Sequence, residues 1–321
     1  MTMPHVGWWV GITITLGGIT ACDADESAMA PEVVAKGFDS NGFRLNGFRL
    51  NGFRLNGFRL DESALSGGGD AIRLEGIRLA EDSTLASSQV TSAWLEGSDL
   101  HVRTAVDKDL SGPELTGAEF VFSVLEDGVS DTKLVRIAGV DLLAPGSDIW
   151  IYDLELRTES DEWEPLCLDG KGDPTEAILL DGAWDGVTGD RVPLVAGRAL
   201  TFACRDAALA KCVEWGYRPW ASVDGVSLAD YHQACTRAVR ADYCGDGVPH
   251  THNGVEIHVL DELGIQVVEG EYAVEAEWGP NGAICLDPAH TRLPAPEFAC
   301  ELPLCGEAFA FGGLIQTGVP S

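Results

Sequence analysis

The sequence has few basic residues and lacks the short motifs of the common hydrolase and nucleotide-binding classes. Its 21 Lys and Arg stand against 51 Asp and Glu, so the formal net charge is -30 over 321 residues. A chain this acidic repels phosphate backbones, which excludes nucleic acid as a partner. GxSxG, HExxH and Walker-type phosphate loops are absent from the sequence. Sequence motifs therefore predict neither a reaction class nor a cofactor.

Long apolar runs are lacking after the N-terminal region. Residues 6–21 form the only such run, and its length suits the core of a signal peptide better than a membrane span. The run ends in the string ITAC at Ile19–Cys22, followed by DADE. This string resembles the lipobox of bacterial lipoproteins, in which the chain is cut before a cysteine that receives lipid. The resemblance implies a signal peptide at residues 1–21 and acyl chains on Cys22. An ordinary secretory signal cut near Ala21 is the alternative, and it also exports the protein.

No cysteine lies between Cys22 and Cys167, and the other eight all lie in the C-terminal half. An even number of distal cysteines predicts four disulfides formed in an oxidising compartment. Their spacings lack the CxxC pairs of zinc sites, so zinc ligation is the weaker alternative. The sequence does not choose among the possible pairings. The eight residues are Cys167, Cys204, Cys212, Cys235, Cys244, Cys285, Cys300 and Cys305.

Composition and pattern divide the exported chain into five segments. The predicted segments are a polar tether at 22–40, a repeat at 41–79, a β-rich part at 90–160, a disulfide-rich domain at 161–305 and a Gly-rich tail at 306–321.

The repeat consists of four consecutive NGFRL copies at residues 41–60 and two looser copies, DAIRL and EGIRL, at residues 70–79. A period of five matches neither a helix nor a strand. Two interpretations are open: a short square coil docked on the body, or a mobile linker. The NGFRL copies carry four Arg and no acid. We expect these Arg to pair with the protein's own acidic body, with anionic lipid or polysaccharide as the alternative.

Beyond residue 90 the pattern predicts an α+β fold, β-rich with about two helices and stabilised by disulfides. The helices are expected at Asp206–Trp215 and Ser227–Arg240, with Ser227 as the N-cap of the second. The apolar stripe of the second helix places Cys235 on its buried face, which suits a structural disulfide. Strands are expected at Glu119–Leu125, Lys133–Val140, Asp148–Arg157, Ala177–Leu180, Ala199–Cys204, Gly254–Leu260 and Tyr272–Trp278.

Three motifs within residues 204–260 carry a family resemblance. They are AKCVEWGYRPW at 210–220, HQACTRAVRADYCGDG at 232–247, and the HT that follows at 250–251. They resemble the ADYC-domain family, uncharacterised exported bacterial proteins named for the tetrapeptide found here at Ala241–Cys244. The resemblance extends from about Trp163 to Cys285 and implies no known activity.

The same stretch contains candidate metal ligands. His250 and His252 are two residues apart and His258 follows six residues later, so all three would share one side of a strand. A carboxylate from Asp246 or Asp261 would complete such a site. A calcium site at Asp242 and Asp246 is weaker, because the dense Asp/Asn pattern of a calcium loop is lacking.

Candidate catalytic residues are His232, Asp246 and His250. Cys244 with either histidine would form a nucleophilic pair, unless all eight distal cysteines are paired. The competing interpretation makes the stretch a folding unit, in which Trp215, Tyr217 and Trp220 fill a core and Arg237 and Arg240 pair with Asp242 or another carboxylate.

The leading prediction is a lipid-anchored cell-envelope protein with a non-catalytic binding role. It would face the periplasm or the surface, from either the inner or the outer membrane. Its expected partner, besides the membrane, is an envelope polysaccharide or another protein. The alternative is an extracytoplasmic hydrolase that acts on envelope polymers, assisted by a metal if the histidines bind one.

The anchor prediction is tested by a Cys22→Ser variant. Acyl chains on Cys22 would hold the protein in the membrane pellet, and without that thiol the protein should move to the soluble fraction. The measurement is an immunoblot of the fractions after high-salt washing. Unchanged partition of the variant into membranes would refute anchoring through Cys22.

Overall fold

The structure is a computed structural model that describes residues 43–45, 71–80, 90–126, 129–158, 160–185, 188–192, 200–252, 254–268, 271–293 and 299–320. The predicted signal peptide, the tether with Cys22 and most of the NGFRL copies lie outside the described residues.

Strands dominate the described part of the chain, with two helices in its second half. The strands before the first helix are β1 Phe43–Leu45, β2 Ala71–Arg78, β3 Val90–Glu96, β4 Asp99–Thr104, β5 Asp109–Ser111, β6 Glu119–Glu126, β7 Val129–Leu142, β8 Trp150–Arg157, β9 Trp163–Pro165, β10 Ala177–Asp181, β11 Ala183–Trp184, β12 Arg191–Val192 and β13 Leu200–Cys204. Then follow α1 Ala208–Glu214, β14 Ser222–Val223, β15 Val226–Ser227, α2 Ala229–Arg240, β16 Val255–Asp261, β17 Tyr272–Gly279, β18 Gly282–Leu286 and β19 Ile315–Pro320, with 3₁₀ turns at Gly112–Leu115 and Pro288–His290.

The described strands form two large antiparallel sheets and three small ones. The seven-stranded sheet has the order β13-β10-β8-β7-β6-β2, with β9 paired to β8. The five-stranded sheet has the order β1-β16-β19-β17-β18. A three-stranded sheet, β3-β4-β5, and the pairs β11-β12 and β14-β15 complete the set.

The seven-stranded sheet is covered on both faces along β10 and at the start of β8. Along β8, Tyr152 and Leu154 pack in a cluster with residues of the three-stranded sheet, such as Val102. Ile151, which directly precedes Tyr152, packs in another cluster with Leu209 of α1. Successive side chains of a strand point to opposite faces. The sheet therefore separates the three-stranded sheet from the helices.

The helices lie between the two large sheets. Cys212 of α1 and the apolar side chains of α2 pack with Ile257 and Trp278 of the five-stranded sheet, whereas Leu209 of α1 packs against the seven-stranded sheet. A helix covered from both sides keeps little contact with solvent. Residues 231–240 of α2 are accordingly all buried, including polar residues that the predicted apolar stripe left outside.

Four disulfides join all eight distal cysteines: Cys167–Cys204, Cys212–Cys235, Cys244–Cys300 and Cys285–Cys305. The second links the two helices, and the last two fasten residues 300–305 to the second half of the fold. This confirms the predicted disulfide-bonded body. Because a paired sulfur is neither a nucleophile nor a thiolate ligand, the disulfides rule out Cys244 as a nucleophile and zinc bound by these cysteines.

The predicted fold class, a β-rich α+β fold with two helices, is confirmed. Every expected strand has a counterpart whose ends differ by a few residues at most. The N-cap of α2 is Leu228 rather than the expected Ser227, whose Oγ accepts a hydrogen bond from Ala229 N at 3.3 Å. Leu228 lies between Ser227 and the first helical residue, and its side chain is fully buried.

The segments that the sequence composition predicted as separate contribute strands to the same sheets. Residues 306–321, expected to be a tail, contain β19, which lies between β16 and β17. The boundary between residues 160 and 161 separates β8 from β9, yet these two strands pair with each other. The β-rich and disulfide-rich segments therefore belong to one fold, together with β19.

Two described parts of the repeat are strands at sheet edges. The first NGFRL copy contributes β1, and the looser copies contribute β2. The looser copies thus form an extended strand, which neither the coil nor the linker interpretation anticipated. The other NGFRL copies lie outside the described residues.

Candidate functional site

The tetrapeptide Ala241–Cys244 forms the tight turn that ends α2. Ala241 has a φ of +51°, a left-handed conformation that residues with a Cβ rarely adopt. Asp242 N donates to Arg237 O at 3.0 Å, which satisfies one of the last carbonyls of the helix. The turn directs Asp242 and Tyr243 into the core, where both are buried.

The Asp242 carboxylate is the counter-charge of two buried guanidinium groups. Its Oδ2 accepts from Arg237 Nη1 at 2.5 Å and lies 3.6 Å from Arg240 Nη1. Both carboxylate oxygens also accept from Gly247 N at 3.1 Å. Burial lowers the pKa of Arg240, and Asp242 opposes that shift. Buried charges are tolerated only when they are paired, so this carboxylate supports both arginines.

Tyr243 joins a second buried network on β17. Its hydroxyl donates to Glu275 Oε1 at 2.6 Å, while Glu275 Oε2 accepts from Arg292 Nη2 at 2.9 Å and from the Thr317 hydroxyl at 2.7 Å. The Tyr243 ring stacks on Trp278 with centroids 5.3 Å apart. Burial raises the pKa of the Tyr243 phenol, so the hydroxyl remains a donor. The tetrapeptide therefore ties α2 to the five-stranded sheet.

The end of the turn lies against the hairpin between β17 and β18. Cys244 is bonded to Cys300, and Tyr243 O accepts from Ala283 N at 2.9 Å. Gly245 has a φ of +67°, and a Cβ at this position would lie 1.9 Å from the carbonyl oxygen of Asn281. Only glycine allows the two backbones to approach so closely.

An open polar cleft lies beside this network. Its volume is about 400 Å³, and it combines two carboxylates, a guanidinium and two amides with small apolar side chains. The start of β12, the first turn of α2 and the turn between β17 and β18 contribute its lining residues, which are Asp190, Arg191, Ala229, Asp230, Gln233, Pro280 and Asn281.

Arg237 holds two walls of the cleft together from beneath. Its Nε donates to Pro280 O at 3.2 Å, on the wall formed by the β17–β18 turn. Its other nitrogens donate to Thr188 O and to Asp190 Oδ1, on the wall that leads into β12. Since Arg237 is also bonded to Asp242, the Ala241–Cys244 turn sets the position of both walls.

The candidate catalytic residue His232 lies in the core. It is fully buried, and its Nε2 donates to Leu209 O at 3.0 Å, because a carbonyl oxygen can only accept. Its ring meets the ring of Trp184 edge-on, with centroids 5.6 Å apart. Burial lowers the pKa of His232 to about 4, so the imidazole is neutral near pH 7. These contacts are those of a packing residue.

The other candidate histidines do not share a strand. His250 and His252 lie in irregular chain before β16, and only His258 lies within that strand. His250 packs beside Tyr243 with ring centroids 5.6 Å apart, and Asp246 is exposed. The shared face that the sequence spacing predicted is therefore not formed.

Asp261, the other candidate ligand, closes its own turn. Its Oδ2 accepts from the Tyr217 hydroxyl and from Gln266 N, both at 2.8 Å, and its Oδ1 accepts from Leu263 N at 2.8 Å. Across the described ranges, no group of three or more His, Cys, Asp or Glu is arranged to hold a metal ion.

Sequence reasoning missed most of the cleft. Gln233 lies inside the motif at residues 232–247, but a lone glutamine on a helix has no sequence signal that separates it from a surface residue. Asp190, Asp230 and Asn281 belong to three separate elements, and no local pattern marks them as neighbours. Asp190 is distinguished only by its ion pair with the buried Arg237, and that contact exists only in the folded chain.

The fold and its covalent bonds define an extracytoplasmic α+β domain with four disulfides. The chain belongs to the ADYC-domain family, whose model matches residues 112–292. The match begins earlier than the motifs indicated and includes β6 to β8. No curated protein and no solved structure matches the chain. Among the described residues, no helix has the length and apolar character needed to cross a membrane.

We expect Asp242→Asn to destabilise the protein by about 3–5 kcal/mol, because it removes the buried counter-charge of Arg240 and leaves Arg237 only the half-exposed carboxylate of Asp190. The measurement is the free energy of unfolding in urea. Asp224→Asn is the matched control, since this exposed residue on the β14–β15 turn should contribute within about 0.5 kcal/mol. Equal unfolding curves for the two variants would show that the buried carboxylate has no special role.

His232 should make stability depend on pH. Its folded pKa is about 4 against an ordinary 6.5, so the unfolded chain binds the extra proton as the pH falls through this window. Stability from this group is complete above pH 6.5 and falls toward pH 4, by about 3 kcal/mol in all. His232→Gln should flatten the unfolding free energy measured against pH by that amount. A His232→Gln curve that runs parallel to the wild-type curve would contradict the assignment.

Proposed function

We propose that this ADYC-domain protein is a non-catalytic binding module of the cell envelope, and that the polar cleft binds a hydroxyl-rich glycan. The observation that carries the proposal is the cleft itself. Its volume of about 400 Å³ lies in the range of small-ligand sites, and its polar groups converge from three elements.

The lining suits sugar hydroxyls. Carboxylate, amide and guanidinium groups each offer two or more hydrogen-bonding atoms, so each can engage neighbouring hydroxyls of one sugar ring. Asp190 and Asp230 supply acceptors, Arg191 supplies donors and Asn281 supplies both. The opposite charges in the lining favour a neutral polar ligand over a strongly charged one.

The cleft is held rigid before any ligand binds. Gln233 Oε1 accepts from Trp184 Nε1 at 2.8 Å, and Gln233 Nε2 donates to Gly189 O at 2.8 Å. The Asp190 side chain is bonded to Arg237, which has no exposed surface. A preorganised site loses less entropy on binding, which supports a role in recognition.

The proposal includes export and a lipid anchor at Cys22. Disulfides that consume all eight distal cysteines support this part, because they leave Cys22 as the odd cysteine of the chain. An envelope position would bring the cleft close to polysaccharide, the partner that the sequence suggested.

Glycan binding is tested with an array of neutral and acidic envelope oligosaccharides. We expect the wild-type domain to bind a neutral hydroxyl-rich ligand, and Asp230→Ala/Asn281→Ala to weaken that binding at least tenfold, because both side chains line the cleft. Both residues are exposed, so the fold should survive.

Asp224→Ala is the matched control. It removes the same charge from the exposed turn between β14 and β15, outside the cleft lining. Binding that falls equally in the control would indicate a general charge effect. Binding that is unchanged in the double variant would remove the cleft from the proposal.

A further inference from the structure

The edge of β16 is occupied by the first NGFRL copy. In the register of β1 with β16, Arg44 stands opposite Glu256, and the flanking Phe and Leu stand opposite Ile257 and Val255. Ile257 is buried and Val255 packs against the same cluster, whereas Glu256 is exposed. The apolar positions of the copy therefore match the inward positions of β16, and its Arg matches an opposite charge.

The looser copies show how a five-residue unit can extend along a strand edge. In β2, Leu74 stands opposite Phe122 and Ile77 stands opposite Phe120, with Glu75 left over as the extra residue of a β-bulge. Phe120 and Phe122 are both buried. A copy has five residues, and one of them is the bulge, so four residues per copy pair with the neighbouring strand. Because side chains alternate between the two faces, an even number of paired residues keeps the apolar positions of successive copies on the same face.

Both sheets thus have an edge covered by a repeat copy. β1 covers β16 in the five-stranded sheet, and β2 covers β6 in the seven-stranded sheet. An exposed sheet edge presents unpaired backbone groups that bind any compatible strand. The repeat unit has the pattern that such an edge requires: two apolar positions flanking an Arg, with a polar residue available for the bulge.

We propose that the edge of β16 is a receptor site for the NGFRL unit, and that the four identical copies of the same chain are interchangeable occupants. Each copy brings the same Phe, Arg and Leu, so each makes the same match to β16. β1 spans only the three residues Phe43–Leu45, so any of the four copies contains the whole strand sequence.

Exchange of the bound copy changes the length of chain on either side of the site. Each step of one copy transfers five residues from one side to the other, which is about 17 Å of extended chain. The repeat would then act as an adjustable connection between the N-terminal region and the folded body. This inference does not depend on a lipid anchor or on the cleft.

Single-copy disulfide trapping in the full chain tests the proposal. Glu256→Cys is combined in separate variants with Arg44→Cys, Arg49→Cys, Arg54→Cys or Arg59→Cys, and the cross-links are mapped by mass spectrometry after mild oxidation. We expect all four pairs to form within one chain, with yields within about threefold of each other.

Two controls isolate the exchange. Glu256→Cys alone should form no new cross-link, which excludes capture by the native cysteines. Glu256→Cys with Arg78→Cys should also form none, because Arg78 stands opposite Glu119 in the other sheet. Cross-linking confined to the Arg44→Cys pair, its absence from all four pairs, or covalent dimers in its place would each overturn the proposal.

A second measurement avoids the added cysteines. Phe43→Ala disables only the copy seen in β1, so another copy should replace it and the melting temperature should change by less than about 1 °C. Alanine at Phe43, Phe48, Phe53 and Phe58 together leaves no intact copy and should lower the melting temperature by several degrees. A single Phe43→Ala variant as unstable as the fourfold variant would show that the first copy is unique.

Discussion

One buried carboxylate, that of Asp242, carries the constraint on which the second half of the fold depends. Two guanidinium groups enter the core from the last turns of α2, and neither Arg237 nor Arg240 can remain there without an opposite charge. The left-handed residue Ala241 places the carboxylate where it reaches both. The next two residues have separate roles: Tyr243 donates to Glu275 of the five-stranded sheet, and Cys244 is bonded to Cys300.

The same constraint reaches the surface through Arg237. Buried ion pairs add little net stability, since desolvation offsets most of the attraction. Their value lies in geometry, because a guanidinium has fixed donor directions. Here those donors fix Pro280 on one side and Asp190 with Thr188 on the other. The family tetrapeptide therefore positions the walls of the cleft through Arg237 and does not itself line the cleft. This explains why its residues resemble neither an acid–base pair nor a set of metal ligands.

The sequence predicted what local patterns determine. Alternation identified β8, helical spacing identified α2, and the even cysteine count identified four disulfides. It could not predict that polar His232 and Gln233 would be buried, because the second covering layer comes from distant strands. It also could not predict β19 as a central strand, because the preceding glycines resemble a tail and only pairing with β16 and β17 makes that segment a strand. The cleft was missed for the same reason, since its walls meet only in the folded chain.

The disulfides explain how so small a helical layer can hold buried charges. α1 has seven residues, which is too short to be stable alone, and Cys212–Cys235 fastens it to α2. Cys244–Cys300 closes a longer loop of sequence separation 56, directly at the charged turn. In the chain-entropy model a loop of that length contributes about 4 kcal/mol, similar to the cost of leaving one buried charge unpaired. Reduction of this bond should therefore loosen the Asp242 turn first, and the walls of the cleft with it.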